Sequence, residues 1–158
     1  MAIRDFFKNV IRRSGLFKAK VSSIDNFVYT LSIDSGSEII EALTEFIRER
    51  KITHGSIRGI GAVESATLRF FDPISKTYQD HEFNEQMEIA HLEGNISTLD
   101  GKVYLHVHAV LGKSDCSVAG GHLLQARIKG AGEFFIHRFC TDVPRKFSEE
   151  IGLNIYDF

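Results

Sequence analysis

The sequence predicts an α+β fold, a mainly antiparallel sheet with one long helix in a single compact domain. Three observations lead there. "SGSEIIEALTEFIRERK" is the strongest helical pattern. Seven runs with strand character follow it. Turn residues rather than helical segments separate those runs, and such short connections suit antiparallel neighbours. At 158 residues the chain is long enough to bury a core without disulfides.

In chain order, "MAIRDFFKNVIRRSG" reads as a short amphipathic helix within an N-terminal extension, residues 1–20. Ile3, Phe6, Phe7, Val10 and Ile11 recur at helical spacing, Arg4, Lys8 and Arg12 form the opposite stripe, and Gly15 is a plausible stop. A basic stripe is usually a solvated face, so docking on its own domain or a partner is preferred over an acidic-membrane contact or an organelle-targeting segment. "FKAKVSS" and "FVYTLSID" alternate as strands.

The long helix comes next. Ser37 is the expected cap, with Glu38 and Glu41 near the positive end and Arg48, Arg50 and Lys51 near the negative end. Its buried stripe is Ile39, Ile40, Leu43, Phe46 and Ile47. The strands are then "HGSIRGIGAV", "ATLRFFD", "KTYQDHEF", "MEIAHLEGNIST", "KVYLHVHAVLG", "HLLQARI" and "EFFIHRF". The principal domain is expected over residues 21–143, with 144–158 as a C-terminal tail.

Composition narrows the function. A formal net charge of −2 argues against nucleic-acid binding by bulk electrostatics. No apolar run approaches the length of a membrane span. Cys116 and Cys140 fit no CxxC or zinc-finger spacing, so both are expected as free thiols in a reduced, cytoplasmic setting. Gly59 and Gly61 in "GIGAVE" form a G-x-G, but Glu64 stands where a third glycine would be, and a strand follows instead of a helix. A dinucleotide fingerprint needs that helix N-terminus, so a bulge or close strand approach is the better reading.

The histidines carry more information. On an alternating strand, Val103, Leu105, Val107, Ala109 and Leu111 form a wholly apolar core face. Tyr104, His106, His108 and Val110 share the other face, with the two imidazoles roughly 6.6 Å apart at the backbone. If "KSDCSVAGG" is a hairpin loop, His122 returns beside His108. Three imidazoles with an open position can hold zinc, though copper and nickel also suit such ligands. Spacing alone equally allows hydrogen-bonded packing or a subunit interface.

The blocks "GSIRGIGAVESATLRFFD", "MEIAHLEGNIS" and "LHVHAVLGKSDCSVAGGHLLQARI" together resemble the PPC (plants-and-prokaryotes-conserved) domain family, over about Val21 to Asp142. The resemblance implies a homotrimer and a fold related to acetolactate decarboxylase, whose histidines bind zinc. Prokaryotic members usually stand alone and are often labelled candidate DNA-binding proteins; plant members carry AT-hooks. His106, His108 and His122 match the family histidines, and Glu88 the upstream glutamate. Gly94, Asn95, Gly120 and Gly121 match turn and close-packing positions. This chain lacks the Arg-Gly-Arg core of an AT-hook, and His91 and Cys116 depart from the pattern.

The residues and the resemblance together indicate a three-histidine metal module for a small ligand, or one with a structural role. The alternatives are a metal-dependent lyase or hydrolase of a small carbonyl substrate, with Glu88 or Glu93 moving a proton, and a DNA-associated protein. His54, His81 and His137 are assigned no role.

Overall fold

The computed structural model describes residues 10–13, 18–23 and 27–158. Their elements run β1 (Val10–Arg13), β2 (Lys18–Ser23), β3 (Val28–Asp34), α1 (Ile39–Glu49), β4 (Gly55–Asp72) and β5 (Thr77–Phe83). After them come β6 (Met87–Leu99), β7 (Lys102–Gly112), β8 (Val118–Arg138), β9 (Pro144–Ser148) and β10 (Leu153–Tyr156). The described residues are mostly sheet with one helix, and the sheet dominates more than a balanced α+β fold would have it.

The helix begins one residue later than the sequence suggests. Glu38, not Ser37, is the cap: its carboxylate accepts from the backbone N–H groups of Ile40 and Glu41. The same carboxylate accepts from Ala126 N in β8 at 2.9 Å, so one side chain caps the helix and pins it to the sheet. That tertiary bond is what favours glutamate over the serine that local propensity prefers. Ile39, Ala42, Leu43, Phe46 and Ile47 are the buried positions, while Ile40 lies at the edge of the stripe.

Two pairs of expected strands are single long ones. "HGSIRGIGAV" and "ATLRFFD" join into β4, and "HLLQARI" and "EFFIHRF" into β8. Their glycines bend the strands without ending them. The β4–β6 register shifts between Gly59 and Gly61, the expected bulge. Gly59 also allows a close approach, since a Cβ there would lie 2.3 Å from the Phe134 ring. The ladders β4–β6, β6–β7, β7–β8 and β8–β4, all antiparallel, close into a ring around an apolar interior that includes Ile57, Leu68, Leu92, Ala109 and Leu123.

The ends differ more from the sequence reading. Val10–Arg13 is a strand paired with β2, where the amphipathic-helix reading had placed Val10 and Ile11. Residues 1–9 and 14–17, including the expected stop at Gly15, lie outside the described residues. The presumed C-terminal tail contains the β9–β10 hairpin, which joins β6 through a short parallel ladder at Thr98↔Pro144 and Leu99↔Arg145. Cys116 and Cys140 are exposed and free. No described helix is long and apolar enough to cross a membrane.

Substituting Gly59→Ala should destabilise the protein by about 1–3 kcal/mol, because the added methyl meets both the Phe134 ring and the Glu133 carbonyl. Urea unfolding of the two proteins, with an unchanged m-value, measures this.

Candidate metal centre

Strand β7 supplies two of the three candidate ligands because its pattern leaves no alternative face for them. Val107, Ala109 and Leu111 are buried, with Val103 and Leu105 packed against the same core. His106 and His108 therefore point out of the ring. The hairpin returns through Lys113–Ser117, where Lys113 N donates to the Ser117 carbonyl and Cys116 adopts a left-handed φ of 65°. Strand β8 begins at Val118, and the register sets His122 directly opposite His108.

The three side chains converge. Nε2 of His106 lies 3.1 Å from Nε2 of His108. The His122 ring centroid is 5.1 Å from that of His106 and 5.5 Å from that of His108. One ring nitrogen from each lies within 4.8 Å of the others. Ligands at 2.0–2.1 Å around a tetrahedral ion sit about 3.3 Å apart, so the first pair already has ligand spacing and His122 needs only a small movement.

The electrostatics suit metal ligation. Burial, then His106, His108 and Arg69, push His122 down to about 4. Burial, then His108 and Arg145, lower His106. Both imidazoles are held in the neutral form that coordinates cations. Nδ1 of His122 is buried and has no hydrogen-bond partner among the described residues. A buried ring nitrogen without a partner is costly, and a bound cation is one way to satisfy an imidazole in such a setting. The donor set therefore fits a divalent transition metal.

Around the imidazoles stand groups from four further strands. From β4, Arg69 pairs in register with His122, forks onto Asp80 of β5 at 2.8 and 3.0 Å, and lies 4.6 Å from the Tyr78 ring centroid. Tyr78 faces His122 at 5.7 Å, its hydroxyl pKa raised by burial and then by Tyr104. From β6, Asn95 is opposite His106 and Glu93 opposite His108. Gly94 between them permits this close ladder, since a Cβ there would sit 2.7 Å from the His106 carbonyl oxygen.

The two carboxylate candidates separate. Glu93 lies beside the centre, its Oε2 3.3 Å from Nε2 of His91. Glu88 pairs with Gly112, well along the ladder from His108, so the structure does not bring it to the imidazoles. Of the two expected close-packing glycines, Gly121 is tight against the Arg69 carbonyl at 3.1 Å, whereas Gly120 has ordinary space. His54 is buried and bonded to Asp142 at 3.1 Å, away from the centre.

Sequence reasoning missed Arg145. It comes from β9, is only 9% exposed, and bonds Ser97 Oγ, the Asn154 carbonyl and Asn95 Oδ1 at 2.7, 2.7 and 2.8 Å. Its guanidinium lies 5.1 Å from the Tyr104 ring centroid and 4.3 Å from that of Tyr156. Nothing in "DVPRKFS" marks this arginine as buried. Arg69 and Tyr78 could have been found only by pairing β4, β5 and β8 correctly.

The profile of the Plants and Prokaryotes Conserved (PCC) domain matches residues 24–140. The chain belongs to this family. A protein from Bacteroides thetaiotaomicron, described as a candidate DNA-binding protein, is 47% identical, with a TM-score of 0.85 over 90% of this chain and 98% of that one. A metal-containing protein from Archaeoglobus fulgidus is 30% identical, with a TM-score of 0.79 over the whole of both chains. A Staphylococcus aureus protein of unknown function, described as similar to α-acetolactate decarboxylase, shares the fold alone: 12% identity and a TM-score of 0.51 over 73% of this PCC chain and 53% of that one. The curated proteins hold no match.

Acid should destabilise the metal-free PCC protein. An unfolded histidine binds its proton near pH 6.5, whereas His122 resists to about 4, so between those values the unfolded chain carries more protons. The contribution is fully present above about 6.5 and is lost as the pH falls toward 4. Melting temperatures of chelator-treated protein across that range should show the decline, and His122→Phe should flatten it.

Proposed function

We propose that this PCC-domain protein is a metal-binding homotrimer whose His106, His108 and His122 hold one divalent transition metal, zinc being the first choice, with a position left for a small ligand. The carrying observation is the convergence of three imidazole nitrogens within 4.8 Å. The buried, unpartnered Nδ1 of His122 supports it, as does the description of the Archaeoglobus relative as metal-containing. A metal so bound would supply Lewis acidity at its open position.

The chain's own groups give that position its surroundings. Tyr78 and Tyr104 offer hydroxyls and aromatic walls. Glu93, opposite His108, is the carboxylate able to hold or deliver a proton at its Oε2. That placement keeps a lyase or hydrolase of a small carbonyl substrate as the second reading. DNA association has the description of the Bacteroides relative in its favour, while the net charge of −2 weighs against it.

The trimer is supported by the imbalance between one helix and a large sheet. Ile60 and Phe135 lie outside the ring at 57% and 42% exposure, an apolar surface that a second subunit would cover. Two exposed, free thiols agree with a cytoplasmic setting.

Elemental analysis of protein purified without a histidine tag should find one metal per chain. His106→Ala and His108→Ala should each lower bound metal at least tenfold. Unchanged metal content in both would leave the histidines as packing residues. Light scattering over a wide dilution series should return three times the chain mass, and a monomer throughout would refute the assembly.

A further inference from the structure

We infer that the three-histidine centre selects a small carboxylate anion, and that Arg145 of the C-terminal hairpin sets this selectivity. The inference rests on the metal reading above and names the ligand class for that same centre.

The first argument is charge. The convergent group consists of the three histidines alone among the described residues, with no carboxylate in it. Neutral imidazoles leave the full charge of a divalent ion uncancelled. Glu93 is nearby in the ladder, but its side chain is exposed and turned to His91. A bound cation is the largest local charge in such a site and decides what can approach it.

The second argument is the contrast between the two arginines flanking the centre. Arg69, on the His122 side, is neutralised by a bidentate bond to Asp80. Arg145, bonded to the Asn95 side chain that stands opposite His106, has no carboxylate partner among the described residues. Its acceptors are a hydroxyl, a backbone carbonyl and an amide oxygen, all neutral. They satisfy direction but not charge, the Tyr104 and Tyr156 rings offset the charge only in part, and a buried guanidinium without an anionic partner is costly. Metal and Arg145 thus place like charges at one side of a half-buried centre. A neutral ligand would leave both uncancelled, while an anion offsets both.

The third argument is shape. A guanidinium has five N–H donors, and each nitrogen of Arg145 has one acceptor among the described residues, which leaves two. Two donors in one plane match a carboxylate edge better than a tetrahedral phosphate, which needs donors from several directions. The Tyr104 and Tyr156 rings lie against the guanidinium at 5.1 and 4.3 Å from their centroids. Arg145 lies beyond the family match at residues 24–140, so the matched motifs assign it nothing.

The test is calorimetric titration of zinc-loaded protein with oxalate, its neutral isostere oxamide, and inorganic phosphate. Oxalate should bind at least tenfold more tightly than either. Arg145→Gln should weaken oxalate tenfold or more while zinc content stays at one per chain, and Arg145→Lys should recover part of the loss. Oxamide or phosphate binding as well as oxalate to the wild-type protein would overturn the inference without any variant. So would unchanged oxalate affinity in a zinc-retaining Arg145→Gln protein. Failure of the wild-type protein to hold zinc would refute the metal reading itself, and this inference with it.

Discussion

The register between β6, β7 and β8 is the constraint on which the rest of the structure depends. Side chains alternate across a strand, so a slip of one residue would turn every histidine into the core and every core residue outward. The apolar face of β7 makes that slip prohibitive, because Val107, Ala109 and Leu111 are almost completely buried. Fixing that face fixes three rungs at once: Asn95 against His106, Glu93 against His108, and His108 against His122. The geometry of the centre is thus enforced by hydrophobic packing on the opposite side of the same strands.

Close backbone approach is the second requirement, and it explains where glycine occurs. Gly94 lets β6 lie against His106 and Val107, and Gly59 accepts the Phe134 ring. Strand β4 pairs with β6 along one stretch, as the ring requires, and with β5, which lies outside the ring, along another. Shifts in the β4–β8 register between Gly61 and Val63 and between Val63 and Ser65 accompany that change of partner. Catalogued as a nucleotide motif, the same "GIGAVE" would have led to the wrong chemistry.

Much of the centre was legible because its information is local. The alternation around His106 and His108, and the return of the chain to His122, need only strand period and one turn. Distant pairing was not legible. Glu88 and Glu93 differ by a few residues in sequence, yet only a cross-strand register with a bulge between Ile89 and His91 tells which one stands opposite His108. Arg145 lay further out of reach: its burial depends on Ser97 and Asn95, some fifty residues earlier, and on a hairpin whose "PRKFS" reads as surface. The cap at Glu38 is the same kind of case, decided by Ala126 across the fold.

The β7–β8 hairpin also bears on how folding and ligation are coupled. His106 and His122 are separated by only 16 positions, and the ladder between them is already closed by backbone bonds. A cross-link contributes stability mainly by removing freedom from the unfolded chain, and that freedom grows slowly with the length of the loop it closes. An ion here would tie a short loop within one hairpin rather than staple remote parts of the molecule. The core of Phe46, Phe134, Leu92 and their neighbours includes none of the three histidines. Ligation at this hairpin would therefore be largely separable from global folding, unlike that of a zinc finger, whose ion substitutes for a core.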